Sequence, residues 1–207
     1  MGELPLKRRV AIIIFEGFEV LDVFGPIELF SKIPDVRIDL VAERAGSVRS
    51  AQGVEVIAEL GCHDLEDPDI ILVPGGIGVR KLVGDSSFLS WLSDIGEQCQ
   101  IVASVCTGSA VLAAAGLLEG RRATSNKLAF KWVSSLGNDI TWEHQARWVE
   151  DGNRWSSAGV AAGMDMTAAL IRCIFGQKAY MEVSKCVEYQ PQIDSTIDPF
   201  ARLYSPD

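Results

Sequence analysis

The stretch Ile101-Val102-Ala103-Ser104-Val105-Cys106-Thr107-Gly108-Ser109-Ala110-Val111-Leu112-Ala113-Ala114-Ala115-Gly116 changes character at Cys106. Residues 101–105 are short, apolar and rich in β-branched side chains, which predicts a buried strand. From Ala110 to Ala115 strong helix formers take over, and Gly116 closes the run. Cys106 therefore falls on a sharp strand-to-helix turn, the place hydrolases give to a nucleophilic serine. A thiol there lies beside the helix's first unpaired N–H groups and the positive end of its dipole, and both favour the thiolate. The alternative is a small cysteine packed beneath a sheet.

Working outward, strand and helix signals alternate. Val10 to Phe15 predicts a first buried strand, and Leu21 to Ile33 a helix with Pro26 in its first turns, where a missing N–H matters least. Val36 to Val41 alternates as a second strand, and Val48 to Ile57 forms a hairpin about Gln52-Gly53. Asp69 to Val73 is a third core strand ending in Pro74-Gly75-Gly76. Ser86 to Gln98 follows as a helix capped by Ser or by Asp85, with Phe88, Leu89, Leu92 and Ile95 on one face. Beyond the elbow come a short helix over Leu128 to Leu136 and a hairpin pairing 146–150 with 154–157. Helices over about Val160 to Phe175 and Lys178 to Tyr189 complete the pattern. The tail from Gln190, with Pro191, Pro199 and Pro206, is expected to be irregular and to pack over the surface. This order predicts a flavodoxin-like α/β fold, a three-layer sandwich whose mostly parallel sheet has helices on both faces. A single domain over 1–207 follows, with its core at about 9–188.

Composition narrows the function classes. The chain has 207 residues, 48% hydrophobic content and a formal net charge of −9, enough apolar material for one full core. Such an acidic surface argues against nucleic-acid binding, which needs clustered Lys and Arg. The densest basic group, Lys7-Arg8-Arg9, reads as a solvated lead-in to the first strand. No apolar run has the length of a membrane span and no signal-peptide pattern opens the chain. Cys62, Cys99, Cys106, Cys173 and Cys186 form no CxxC pair, so no disulfide framework or zinc site is indicated. A reduced, cytoplasmic setting fits best. No phosphate-binding glycine motif occurs, and Asp194, Asp198 and Asp207 lack a metal-ligand pattern. No metal, cofactor or nucleic-acid partner is therefore expected.

In parallel sheets, ligands sit beyond the carboxyl ends of the strands. Glu16-Gly17-Phe18-Glu19, Pro74-Gly75-Gly76 and Cys106 all fall there. Gly75 and Gly76 would let bare backbone N–H groups face a ligand as in an oxyanion hole, or else simply turn the chain.

Several motifs carry a family resemblance: Leu21-Asp22-Val23-Phe24-Gly25-Pro26, Val73-Pro74-Gly75-Gly76, the run 103–109, the run 115–124 and the run 157–165. Together they resemble the ThiJ/PfpI superfamily over about Arg9 to Glu188. Within it, the Leu-Asp-x-x-Gly-Pro segment and the Cys-Thr elbow are similar to isocyanide hydratases. That resemblance implies a homodimer that adds water to an isocyanide, giving an N-substituted formamide. By the same resemblance Cys106 is the nucleophile, and Asp22 is the acidic residue near it. A carboxyl held beside a thiolate in a poorly solvated pocket has a raised pKa and can donate a proton. The plainer role for Asp22 is to satisfy helix N-terminal N–H groups. Thr107 would offer a hydroxyl and an N–H to developing charge, or merely cap the elbow helix. Gly75, Gly76, Asn126 and Val160 would line the substrate pocket, Val160 as apolar wall. Many family members carry His where this chain has Asn126, in Ala123-Thr124-Ser125-Asn126-Lys127. Asn can orient a group but cannot act as a base. His63 and His144 read as structural or solvated, so a Cys–His triad has little support. Two other readings share the reactive thiol: glyoxalase- or deglycase-like aldehyde chemistry, and a non-catalytic cysteine sensor of oxidants.

Overall fold

The computed structural model describes residues 8–204, so Lys7, Pro206 and Asp207 lie outside the described residues. The chain opens with β1 (Arg8–Ile13), α1 (Val20–Phe30), β2 (Val36–Ala42), the hairpin β3 (Gly46–Arg49) and β4 (Glu55–Ala58), and β5 (Leu60–Gly61). It continues through β6 (Ile70–Val73), α2 (Val79–Leu82), α3 (Ser86–Gln98), β7 (Ile101–Ser104), α4 (Gly108–Ala114) and β8 (Arg121–Ala123). The last elements are α5 (Phe130–Val133), β9 (Ile140–Trp142), β10 (Trp148–Asp151), β11 (Arg154–Ser157) and α6 (Ala162–Cys186).

A seven-stranded sheet runs β10-β11-β7-β6-β1-β2-β5, parallel throughout except where β10 meets β11. Strands β1, β6 and β7 are apolar on both faces, as a sheet covered twice requires; Ile70, Ile71, Leu72 and Val73 are all buried. The chain passes from β1 to β2 in one direction and from β6 to β7 in the other. Right-handed crossovers therefore put α1 and α3 on opposite faces. Helix α1 packs on α6, and α3 on α4. This is the expected flavodoxin-like sandwich, with the carboxyl ends of β1, β6 and β7 side by side at one edge.

Several local expectations need correction. Arg8 and Arg9 begin β1 rather than precede it. Arg8 pairs with Asp69 at 2.9 Å, and Arg9 with the buried Asp39 at 2.5 Å, because charges entering a sheet edge need partners. Pro26 is the seventh of eleven residues in α1. It withholds the N–H that would close on the Asp22 carbonyl. The helix expected over 128–136 shrinks to the four residues of α5. Helix α6 starts at Ala162, since Val160 adopts a positive φ of 39°.

Two helices were expected after residue 160, and α6 is indeed broken at Gly176, with φ 85° and ψ 171°. That region is accessible to glycine alone. The break doubles the chain back. A straight helix would hold residues 165 and 189 about 36 Å apart, yet the Tyr189 hydroxyl donates to Asp165 Oδ1 at 2.5 Å. The tail beyond Gln190 is irregular apart from one 3-10 turn, Ala201–Leu203. No helix among the described residues is long and apolar enough to cross a membrane.

Candidate active site

Strand β7 ends at Ser104, Val105 still pairs through its N–H with Val73 O at 3.0 Å, and Cys106 then turns at φ 57°. A left-handed cysteine needs support from its surroundings. Here the Cys106 N–H donates to Ala158 O at 3.1 Å. Its carbonyl accepts from Ser125 Oγ at 3.0 Å and Ser109 Oγ at 3.2 Å. Cys106 as a whole is 6% exposed.

Asp22 arrives from α1. Asp22, Pro26 and Leu29 repeat at helical spacing on the buried face, so a carboxylate on that stripe is carried into the protein interior. It is fully buried. Its Oδ2 accepts from Gly75 N at 2.8 Å, whereas Oδ1 has no hydrogen-bond partner and the thiol of Cys106 faces the carboxyl. The plainer role, capping of α1, is therefore not the one observed. Gly75 is gripped on its other side as well, its carbonyl accepting from Glu19 N at 2.8 Å. This stitches the loop after β1 to the loop after β6.

Burial raises the Asp22 pKa to about 7, with the nearby Glu19 charge adding to it and the Gly75 N–H and Cys106 thiol opposing. Burial likewise pushes the Cys106 thiol up to about 12, and the Asp22 charge pushes the same way. Against this, the backbone N–H groups of Val160 and Thr107 and the side-chain amide of Asn126 favour the charged form. Desolvation therefore opposes the thiolate that the elbow position favours. Helix α4 begins only at Gly108 and has seven residues, so its dipole is a small effect beside desolvation.

The remaining candidates divide. Asn126 is at the sulfur, its orientation set by Oδ1 accepting from Ala129 N at 3.1 Å. Thr107 contributes its N–H, but its hydroxyl accepts from Gly76 N at 3.1 Å and makes no cap. Gly75 and Gly76 do not offer bare N–H groups to a ligand, because Asp22 and Thr107 already take them. Val160 adds its backbone N–H to the groups acting on Cys106, and its side chain is half-buried against the core. Ser125 and the Val160 N–H were not singled out beforehand. Ser125 stands beside Asn126 in a run that was, whereas a backbone donor leaves no mark in sequence. His63 lies in a 3-10 turn and His144 packs edge-on against Phe130 at 4.7 Å. Neither figures among the groups acting on Cys106 or Asp22. A cavity of about 410 Å³ lies between the β1–α1 loop and the start of α3, lined by Phe15, Glu16, Arg44 and Phe88 among others, and by none of the residues above.

A β-branched residue at positive φ is strained by about 1–3 kcal/mol. Val160→Gly is expected to raise stability by about 1 kcal/mol net of glycine's entropy and to keep the donor at the sulfur. Denaturant melts, together with the pH dependence of Cys106 alkylation, check this.

Fold and site together define a flavodoxin-like α/β protein with a buried cysteine at a strand-to-helix elbow and a carboxyl facing it. The sequence profile of the DJ-1/PfpI family matches residues 8–173. The chain belongs to that family. It is 33% identical over 186 residues to the isonitrile hydratase of Pseudomonas putida, covering 90% of this chain and 80% of that one. It is 25% identical over 138 residues to protein/nucleic acid deglycase 2 of Escherichia coli, covering 65% of this chain and 80% of the relative. Among solved structures, a ThiJ/PfpI family protein from Pseudomonas syringae superposes with a TM-score of 0.83 at 30% identity. That match covers 90% of this chain and 76% of the other.

Proposed function

We propose that this protein is a cofactor-independent cysteine enzyme that hydrates isocyanides to N-substituted formamides. The observation that carries this reading is a fully buried carboxyl with one oxygen unpartnered, its pKa raised by burial, beside a buried thiol with no imidazole acting on either. Isocyanide addition asks for that pairing. Sulfur attacks the terminal carbon, and the negative charge that develops there is on carbon, so a proton donor is needed rather than an oxyanion hole. Asp22 gives its proton to that carbon, and the thiol proton passes to the Asp22 carboxylate, leaving R–N=CH–S–Cys106. Water then adds across the C=N bond, with Asp22 taking and returning its proton, and C–S cleavage releases R–NH–CHO and the free thiol. The sum is isocyanide plus water to formamide.

Two features support the substrate class. The thiol and carboxyl are nearly sealed, which suits the slender, uncharged end of an isocyanide. Beside the site residues in sequence, Leu21, Phe24, Ile77 and Leu128 expose large apolar side chains at 39%, 39%, 75% and 74%, a surface suited to an apolar substituent or to the partner subunit of the homodimer that belongs to this reading. A cytoplasmic setting fits the five free cysteines.

Aldehyde chemistry is the second reading, favoured by the deglycase relative. It fits the site less well, because a carbonyl adduct develops charge on oxygen and the Gly75 and Gly76 N–H groups are engaged. The test is formamide production from cyclohexyl isocyanide beside lactate production from methylglyoxal. Turnover of the first alone is expected. Turnover of methylglyoxal alone overturns the hydratase assignment, and failure of both by folded protein directs attention to peroxide oxidation of Cys106.

A further inference from the structure

The C-terminal strap 190–204 is bound to the rest of the chain by charges that a surface segment does not need. Asp198 is 3% exposed, Lys127 5%, Arg147 9% and Asp165 2%. Arg147 Nε meets Asp165 Oδ2 at 2.6 Å, Arg147 also approaches Asp198 Oδ1 at 3.5 Å, and Lys127 Nζ lies 3.9 Å from Asp198 Oδ2. Two cations and two carboxylates cancel. Burying such a set adds little to stability compared with an apolar core of the same volume, so what it fixes is geometry.

Two continuous paths lead from it to the elbow. Along the backbone, Ser195 O accepts from Arg147 N at 2.8 Å, Arg147 O from Ala158 N at 2.8 Å, and Ala158 O from Cys106 N at 3.1 Å. Along the side chains, Lys127 Nζ donates to Thr124 Oγ1 at 2.9 Å and to Ala146 O at 2.6 Å. Between Thr124 and Lys127 stand Ser125, which holds the Cys106 carbonyl, and Asn126, whose side chain favours the charged form of the Cys106 thiol. We propose that Lys127, Arg147 and Asp198 are positioning residues, which clamp the C-terminal strap onto the segments that aim Asn126 and the elbow at the Cys106 sulfur. The proposal rests on Cys106 as the reacting group, not on which electrophile it attacks.

The test is the rate of Cys106 alkylation by iodoacetamide from pH 6 to pH 11, followed by mass spectrometry of the Cys106 peptide in the full-length protein. Lys127→Met with Asp198→Leu removes one charge of each sign, leaving net charge and approximate volume unchanged. A fall of about tenfold in rate at pH 8, with the profile moved to higher pH and far-ultraviolet dichroism unchanged, is expected from loss of a donor at sulfur. Should that pair fail to fold, Lys127→Gln retains a donor for Thr124 and Ala146 and is expected to move the profile in the same direction, by at least threefold. An unchanged profile in whichever variant folds overturns the proposal. So does faster alkylation at every pH, because the strap would then only shield the thiol. Since alkylation does not involve an isocyanide, absence of hydratase turnover leaves this result readable.

Discussion

Asp22→Asn is expected to lower formamide production by about 10²–10⁴-fold, the range for loss of a positioned acid, while making the folded protein more stable at pH 8. The two effects share one cause. In the unfolded chain Asp22 ionises near its ordinary value of 3.8, and in the folded chain near 7. Between those values the folded state holds a proton that the unfolded state has released, so wild-type stability falls as pH rises, by about 1.4 kcal/mol per unit. Above pH 7 the carboxylate is charged in its dry pocket and the loss is complete. Asparagine accepts from the Gly75 N–H without ever ionising, and escapes that loss. Thermal melts at pH 4.5 and pH 8 should show the variant's advantage growing with pH. Wild-type kcat should decline above about pH 7 as the acid is lost. A variant that retains wild-type turnover would remove Asp22 from the chemistry.

Gly75→Ala is expected to have the second largest effect, through sterics alone. A Cβ at residue 75 would stand 2.7 Å from both the N and Oγ1 of Thr107 and 2.8 Å from Cys106 Cβ. None of these can retreat, because Gly75 is hydrogen-bonded to Asp22 on one side and Glu19 on the other. Overpacking of this kind destabilises by about 1–3 kcal/mol. Moving the elbow by a fraction of an ångström relative to Asp22 should reduce turnover by about 10²-fold. The melting temperature and kcat should fall together, with Asp22 still in place. Unchanged kinetics in Gly75→Ala would show that the elbow tolerates movement.

What the sequence made legible was whatever depends on pattern. The apolar run into Cys106, the N-cap of α3 and the two glycine-interrupted hairpins each follow from local chemistry, and the mostly parallel sheet covered on both faces follows from the alternation of strands and helices. Cys106, Asp22 and Asn126 stand out in the sequence because side-chain identity carries their chemistry, helped by a family likeness. What was missed depends on pairing across the chain. No local rule places a valine at positive φ, and only the packing of 158–160 against the elbow makes Val160 N–H a donor to sulfur. Gly75 and Gly76 looked like open donors because their acceptors, Asp22 and Thr107, come from two other segments. Desolvation of the thiol is of the same kind, a property of the closed site and not of the turn that carries it.

The break at Gly176 decides which molecule the C-terminal segment packs on. An alanine there meets nothing within 4 Å, so only backbone preference resists it, and alanine prefers to continue the helix. A continuous helix would carry Lys178 onward, and with it the tail bearing Asp198, away from its own Lys127 and Arg147. Those buried cations would be left for the identical segment of a second molecule to satisfy. Exchanged segments of this kind turn a folding motif into an assembly motif. Gly176→Ala is thus the position from which this fold would pass to intertwined dimers, separable by size-exclusion chromatography after refolding at high concentration.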